Sequence, residues 1–192
     1  MCIRDRSGIV HAEISPPEFL EQGGPLEILQ LWINLPGRLK MSPPAYTGLQ
    51  REDIPALELN GGKAVLNLIA GQYEGATGPV RSLTGVFMST ISMQAGAELR
   101  LPGLAHRNVF LYVVKGALQI GPDRASAFHL AELSEEGDNI ALAAESDTVL
   151  LFGHAAPIGE PVVAHGPFVM NTREEIAQAI ANYQAGKFDP LR

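Results

Sequence analysis

The chain has 192 residues, of which 46% are hydrophobic, enough to bury one good core or two small ones. Its formal net charge is -7, with acidic and basic residues interspersed, which argues against binding nucleic acid by charge. No apolar run approaches the roughly 20 residues that span a bilayer, and the single cysteine excludes an intramolecular disulfide. We therefore expect a cytoplasmic protein that neither enters a membrane nor binds DNA or RNA.

The first six residues, 1–6, have mixed charge and no periodicity. Ser7-Gly8-Ile9-Val10 then opens directly in strand-like sequence. Because domains seldom begin inside a strand, we interpret 1–6 as a leader that is not native and expect an N-terminally truncated chain. A frayed terminus is the alternative interpretation.

Strand-like segments then recur between Gly, Pro and Asp, which predicts an all-β sandwich or barrel. Residues 29–35 alternate apolar and polar side chains with the period of a half-buried strand, and the proline-rich residues 36–46 are predicted to be a connection. Further strands are predicted at 64–70, 86–93, 109–114, 120, 128–133, 140–143 and 148–152, with a turn at 71–79. The expected core residues are Phe110, Tyr112, Val114, Leu150 and Phe152.

The end of the chain predicts a helix at 173–185. Thr172 and Glu175 form the two halves of a capping box, and apolar residues follow at helical spacing until Gly186.

His11 and Glu13 are the strongest candidates for chemistry. Side chains two apart leave a strand on the same face, so an imidazole and a carboxylate would converge, a pair that suits ferrous iron, manganese or zinc. The alternative is an exposed polar strand face, because intact metal sites have three or more protein ligands. The other histidines, at 106, 129, 154 and 165, lack a His or acidic residue at ligand-like spacing and are expected to be structural.

Four ordered motifs resemble the pirin family of the cupin superfamily, and the resemblance covers 7–188. They are Ser7-Gly8-Ile9-Val10-His11-Ala12-Glu13, Leu29-Gln30-Leu31-Trp32-Ile33-Asn34-Leu35-Pro36, Asn108-Val109-Phe110-Leu111-Tyr112-Val113-Val114-Lys115-Gly116, and His165-Gly166-Pro167-Phe168-Val169-Met170-Asn171-Thr172.

This resemblance implies two cupin barrels (double-stranded β-helices) followed by a C-terminal helix. Residues 7–50 would be the remnant of a partial N-terminal, metal-binding barrel with its linker. Residues 54–165 would form a complete C-terminal barrel without metal, and 166–192 a C-terminal segment.

The resemblance also implies a metal site. Pirins hold one non-haem iron with three His and one Glu, of which His11 and Glu13 match two. The other two come from a His-x-His motif that this chain does not contain. In the second barrel the corresponding slots fall on His106 and Asn108, and on Tyr112 and Val113, which implies a structural role.

The leading functional hypothesis is that the intact parent is a quercetin 2,3-dioxygenase-like enzyme with Fe(II), or another divalent metal, acting on a flavonol- or catechol-like substrate. The alternatives are an iron-dependent protein-interaction module that acts as a transcription coregulator, with transcription factors or metabolic enzymes as partners, and an inactive truncated structural fragment.

Overall fold

A computed structural model describes residues 2–4, 9–11, 15–134 and 136–190, with side chains for all of these except 2–4, 9–11 and 189–190. The chain divides into two compact units. The first unit combines both ends of the chain, Met1–Tyr46 and Ile158–Arg192, and the second is Thr47–Pro157. No helix among the described residues is long and apolar enough to cross a membrane.

In chain order the elements of the first unit's N-terminal part are β1 (Cys2–Arg4), β2 (Ile9–His11), α1 (Pro17–Gln22) and α2 (Gly37–Lys40). The second unit contains two 3-10 turns (Arg51–Asp53 and Asn60–Gly62) and twelve strands: β3 (Ala56–Leu59), β4 (Ala64–Ala70), β5 (Gln72–Tyr73), β6 (Ala76–Thr77), β7 (Phe87–Met93), β8 (Glu98–Pro102), β9 (Asn108–Lys115), β10 (Ala117–Ile120), β11 (Asp123–Ser126), β12 (Leu130–Leu133), β13 (Asn139–Ala144) and β14 (Thr148–Ala155). The chain then completes the first unit with β15 (Val163–His165), β16 (Phe168–Met170), α3 (Arg173–Gln184) and β17 (Asp189–Pro190).

The second unit is a barrel-like pair of sheets. A six-stranded sheet has the order β12-β9-β14-β7-β4-β3, and a four-stranded sheet has the order β11-β10-β13-β8. Alternate side chains of β4 are buried, as its period-two pattern predicts. Leu66, Ile91 and Leu111 from the larger sheet meet Leu118 and Leu142 from the smaller one in a single apolar core. This interior is filled with side chains and is stabilised by their burial.

The pattern of β9 shows where the predicted core is wrong. Val109, Leu111 and Val113 enter the core, whereas Phe110 and Tyr112 are half-buried and Phe110 packs in a separate cluster beside Met88. The strand is apolar on both faces, so its sequence does not reveal which alternate set faces inward. The expected core positions Val114, Leu150 and Phe152 are buried.

Gly116 ends β9 as the sequence predicts. Its φ of 85° lies in the left-handed region that favours glycine. A Cβ atom here would also collide with the Asp147 carbonyl and with the Thr148 hydroxyl. The same buried hydroxyl accepts a hydrogen bond from the Ala117 amide at 3.2 Å, which fixes the start of the next strand.

The strand predicted at 29–35 is wrong. Residues 23–36 lie outside every helix and strand of the described chain, and Leu29, Leu31 and Ile33 are 44%, 43% and 52% exposed. Period-two alternation requires only an extended backbone, whereas a strand also needs a neighbour to complete its hydrogen bonds. The predicted start of β12 is also wrong, since Phe128 has a φ of 67° and the strand begins at Leu130.

The C-terminal helix is confirmed. The Glu175 amide donates to Thr172 Oγ1 at 3.1 Å, and the Thr172 amide donates to Glu175 Oε2 at 3.0 Å. Both halves of the capping box are therefore present, and α3 buries Ile176.

Candidate metal centre

His11 lies on the middle strand of the small sheet in the first unit. β2 pairs antiparallel with β1, where Cys2 lies opposite His11. On its other side β2 pairs parallel with β17, where Asp189 lies opposite Ile9 and Pro190 opposite Val10. Glu13 lies outside the described residues, so the convergence of the two side chains remains a prediction.

The ligand types of His11 and Glu13 are suited to a divalent cation. One imidazole nitrogen and one carboxylate are ligands that iron, manganese and zinc all accept. Among the residues that the structure describes, no three His, Cys, Asp or Glu side chains gather into a further metal-binding cluster. That His11 and Glu13 are two of the four ligands that the resemblance implies remains a prediction.

The corresponding slots of the second unit lie in different environments. His106 and Asn108 are both exposed, and His106 has a φ of 59°, in the left-handed region that non-glycine residues rarely adopt. Val113 is buried in the apolar core. His129 is also exposed and its Nδ1 lies 3.1 Å from the carbonyl oxygens of Ser126 and Ala127.

His154, near the end of β14, makes contacts that the sequence did not reveal. Its ring stacks on Phe87, with centroids 4.7 Å apart and planes 3° apart, and Arg107 Nε donates to its Nδ1 at 2.6 Å. Burial, and then the positive charge of Arg107, lower the pKa of His154 to about 4. This imidazole is therefore neutral at pH 7, and its packing on Phe87 indicates a structural role.

A polar cluster around Lys40 was also missed. Lys40 is only 5% exposed, and its Nζ donates to Asn34 Oδ1 and, at 3.4 Å, to the Val169 carbonyl. Burial lowers the pKa of Lys40, against the opposing effect of Glu160 and Glu175. The prediction that residues 36–46 are only a connection is wrong, because Lys40 ends the short helix α2, and no local sequence signal marks this lysine as buried.

Glu160 completes this cluster. Its Oε2 accepts hydrogen bonds from the Gly37 amide at 2.6 Å and from Asn171 Nδ2 at 2.8 Å. The Gly37 hydrogen bond, followed by Asn171 and the charges of Lys40 and Arg38, lowers the pKa of the Glu160 carboxyl despite partial burial. The cluster ties α2 to the C-terminal segment within the first unit.

The family model described as the pirin C-terminal cupin domain matches residues 88–189. The chain belongs to the pirin family. It is 36% identical over 182 residues to a protein from Pseudomonas aeruginosa whose name proposes quercetin 2,3-dioxygenase activity, covering 95% of this chain and 64% of that one. It is also 36% identical to human pirin, over 94% of this chain and 61% of that protein.

A solved structure shares the fold of this chain. The crystal structure of a quercetin 2,3-dioxygenase from Acinetobacter baumannii superimposes with a TM-score of 0.78 at 34% identity, covering 82% of this chain and 55% of that one. The predicted all-β cupin fold with a C-terminal helix is thereby confirmed. This pirin chain spans less than two thirds of the length of these relatives.

Proposed function

We propose that His11 and Glu13 are two of the four protein ligands of one iron centre, and that the intact protein is a quercetin 2,3-dioxygenase-like oxidoreductase. The observation that carries the proposal is the likeness to the Acinetobacter enzyme at 34% identity. The position of His11 on a strand flanked on both sides supports it, since paired strands hold ligands in fixed geometry.

In this proposal, the residues of this chain bind the metal ion and orient the substrate. The neutral imidazole of His11 and the anionic carboxylate of Glu13 would hold a divalent cation while leaving part of its net charge to attract an anionic oxygen of an aromatic substrate. When bound, ferrous iron would supply a Lewis acid and an electron conduit towards dioxygen.

A second candidate is an iron-dependent module that binds a protein partner. The exposed apolar side chains of residues 26–33 support this candidate, because contiguous apolar surface marks interaction sites.

A chimera tests the leading proposal. The Pseudomonas relative, with its matched segment replaced by this chain, would be loaded anaerobically with Fe²⁺ and assayed for iron content and for quercetin-dependent oxygen uptake. We expect one bound iron and turnover, both lost in His11→Ala and Glu13→Gln.

His106→Ala is the matched control, because His106 is exposed in the second unit. It should retain iron and turnover. Bound iron without turnover of any flavonol would favour the protein-interaction module, and absence of iron from the unsubstituted chimera would contradict both metal proposals.

A further inference from the structure

We propose that Phe188 is a positioning residue for the strand that carries His11. Phe188 immediately precedes β17, whose Asp189 and Pro190 lie opposite Ile9 and Val10 of β2. His11 is the next residue of β2, so the C-terminal end of the chain forms one flank of the candidate metal strand.

The pairing of β17 with β2 is too short to maintain itself. It spans two residues, and Pro190 has no amide hydrogen to donate. Ordering a chain end costs conformational entropy that so few hydrogen bonds do not offset. Something outside the pairing must therefore hold β17 in place.

The aromatic triad of Phe168, Tyr183 and Phe188 provides that anchor. The Phe188 ring lies 5.8 Å from that of Tyr183 and 6.4 Å from that of Phe168, and Phe168 and Tyr183 are 6.3 Å apart, centroid to centroid. Each ring comes from a different element: β16, α3 and the residue before β17. Tilted and edge-on pairs at these distances are favourable geometries for aromatic rings.

The triad is itself fixed to the N-terminal part of the chain. Val169, the neighbour of Phe168 on β16, accepts a hydrogen bond from buried Lys40. Lys40 is hydrogen-bonded to β16, and the rings of β16 and α3 pack against Phe188. The position of Phe188 in turn determines where β17 begins to pair with β2. That Phe188 affects metal binding by His11 rests on the proposed function, whereas its effect on the position of β2 does not.

The test measures backbone amide exchange at Ile9–His11 in the full chain, together with broadening of the His11 imidazole signals by Mn²⁺. Phe188→Ala should speed exchange at these amides by about tenfold or more, while α3 and Gly37–Lys40 keep their wild-type protection. Phe188→Leu should restore much of the protection. Phe128→Ala is the control, because Phe128 is 77% exposed in the second unit.

Each outcome decides between the explanations. Unchanged exchange at 9–11 in Phe188→Ala would overturn the inference, and so would an equal loss of protection across α3, which would make Phe188 merely structural. If exchange responds as expected but Mn²⁺ does not broaden His11 even in the wild type, the inference about β2 stands and the proposed metal function fails. Weaker Mn²⁺ broadening in Phe188→Ala than in Phe188→Leu supports both.

Discussion

The Gly37 amide donates to Glu160 Oε2 at 2.6 Å, a hydrogen bond between residues 123 positions apart in the sequence. A Cβ on Gly37 would stand 3.2 Å from this carboxylate oxygen and 3.4 Å from Asn171 Oδ1. A side chain here would require the Glu160 carboxylate to shift by a few tenths of an ångström, and the hydrogen bond joins the start of α2 to the C-terminal segment.

Glu160→Gln should reduce the pH dependence of the first unit's stability. The pKa of Glu160 is lowered from its ordinary value of 4.5, so its contribution is present above pH 4.5 and is lost as pH falls through the lower native value. Urea unfolding followed by the helical circular dichroism signal, to which α3 of the first unit contributes most, should show a shallower acid-side loss in the variant. Glu58→Gln, at an exposed position of β3, is the control. Equal pH profiles for wild type and Glu160→Gln would contradict the prediction.

His154 should make the second unit less stable in mild acid. Its native pKa of about 4 lies below the ordinary 6.5, so the unfolded chain binds more protons between these values. The free energy of unfolding should therefore fall as pH decreases from about 6.5 to about 4. Below about pH 4, His154 should no longer contribute to the pH dependence. Thermal melts followed by circular dichroism should show a flatter profile for His154→Gln and an unchanged slope for exposed His106→Gln. A wild-type melt independent of pH in this range would refute the account.

Two buried hydroxyls of the second unit should respond to removal in opposite directions. Ser89 Oγ is fully buried and has no hydrogen-bond partner among the described residues, whereas Thr148 Oγ1 accepts from the Ala117 amide. Ser89→Ala should stabilise the chain by about 1 kcal/mol because an unpaired polar group is removed. Thr148→Val should destabilise it by about 1–3 kcal/mol because the amide loses its acceptor. Chemical denaturation of both variants measures this, and destabilisation by Ser89→Ala would show that its hydroxyl has a partner.

The sequence predicted most strands of the second unit but, in the first unit, chiefly the helix α3. Strands such as β4 and the capped helix α3 follow from side-chain periodicity and local capping, which are properties of neighbouring residues. Which alternate set of β9 side chains is buried depends on the face that meets the opposite sheet. The burial of Lys40 depends on Val169, far along the chain. Such long-range partners leave no local pattern. Strand spacing and the resemblance to pirins predict His11 and Glu13 as ligands, and the structure describes only the backbone of His11.

The exposed apolar segment 26–33 should cause self-association. Leu31 is 43% exposed and Trp32 is 47% exposed, so we expect red-shifted or concentration-dependent tryptophan emission and a sedimentation coefficient that rises with concentration. Leu31→Lys should suppress the association. Leu83→Lys is a closely matched control, since Leu83 is 42% exposed in the second unit. A monomer with blue-shifted emission at all concentrations would contradict the prediction.

The measurement that tests the central claim most directly is an NMR titration of the chain with Mn²⁺, following the imidazole signals of all five histidines. Two ligands should bind weakly, but Mn²⁺ should broaden His11 at lower concentration than the other four histidines, and Glu13→Gln should raise the concentration required several-fold. If His11 broadens no earlier than exposed His106, or if Glu13→Gln leaves the His11 titration unchanged, these two residues do not form half of a metal site.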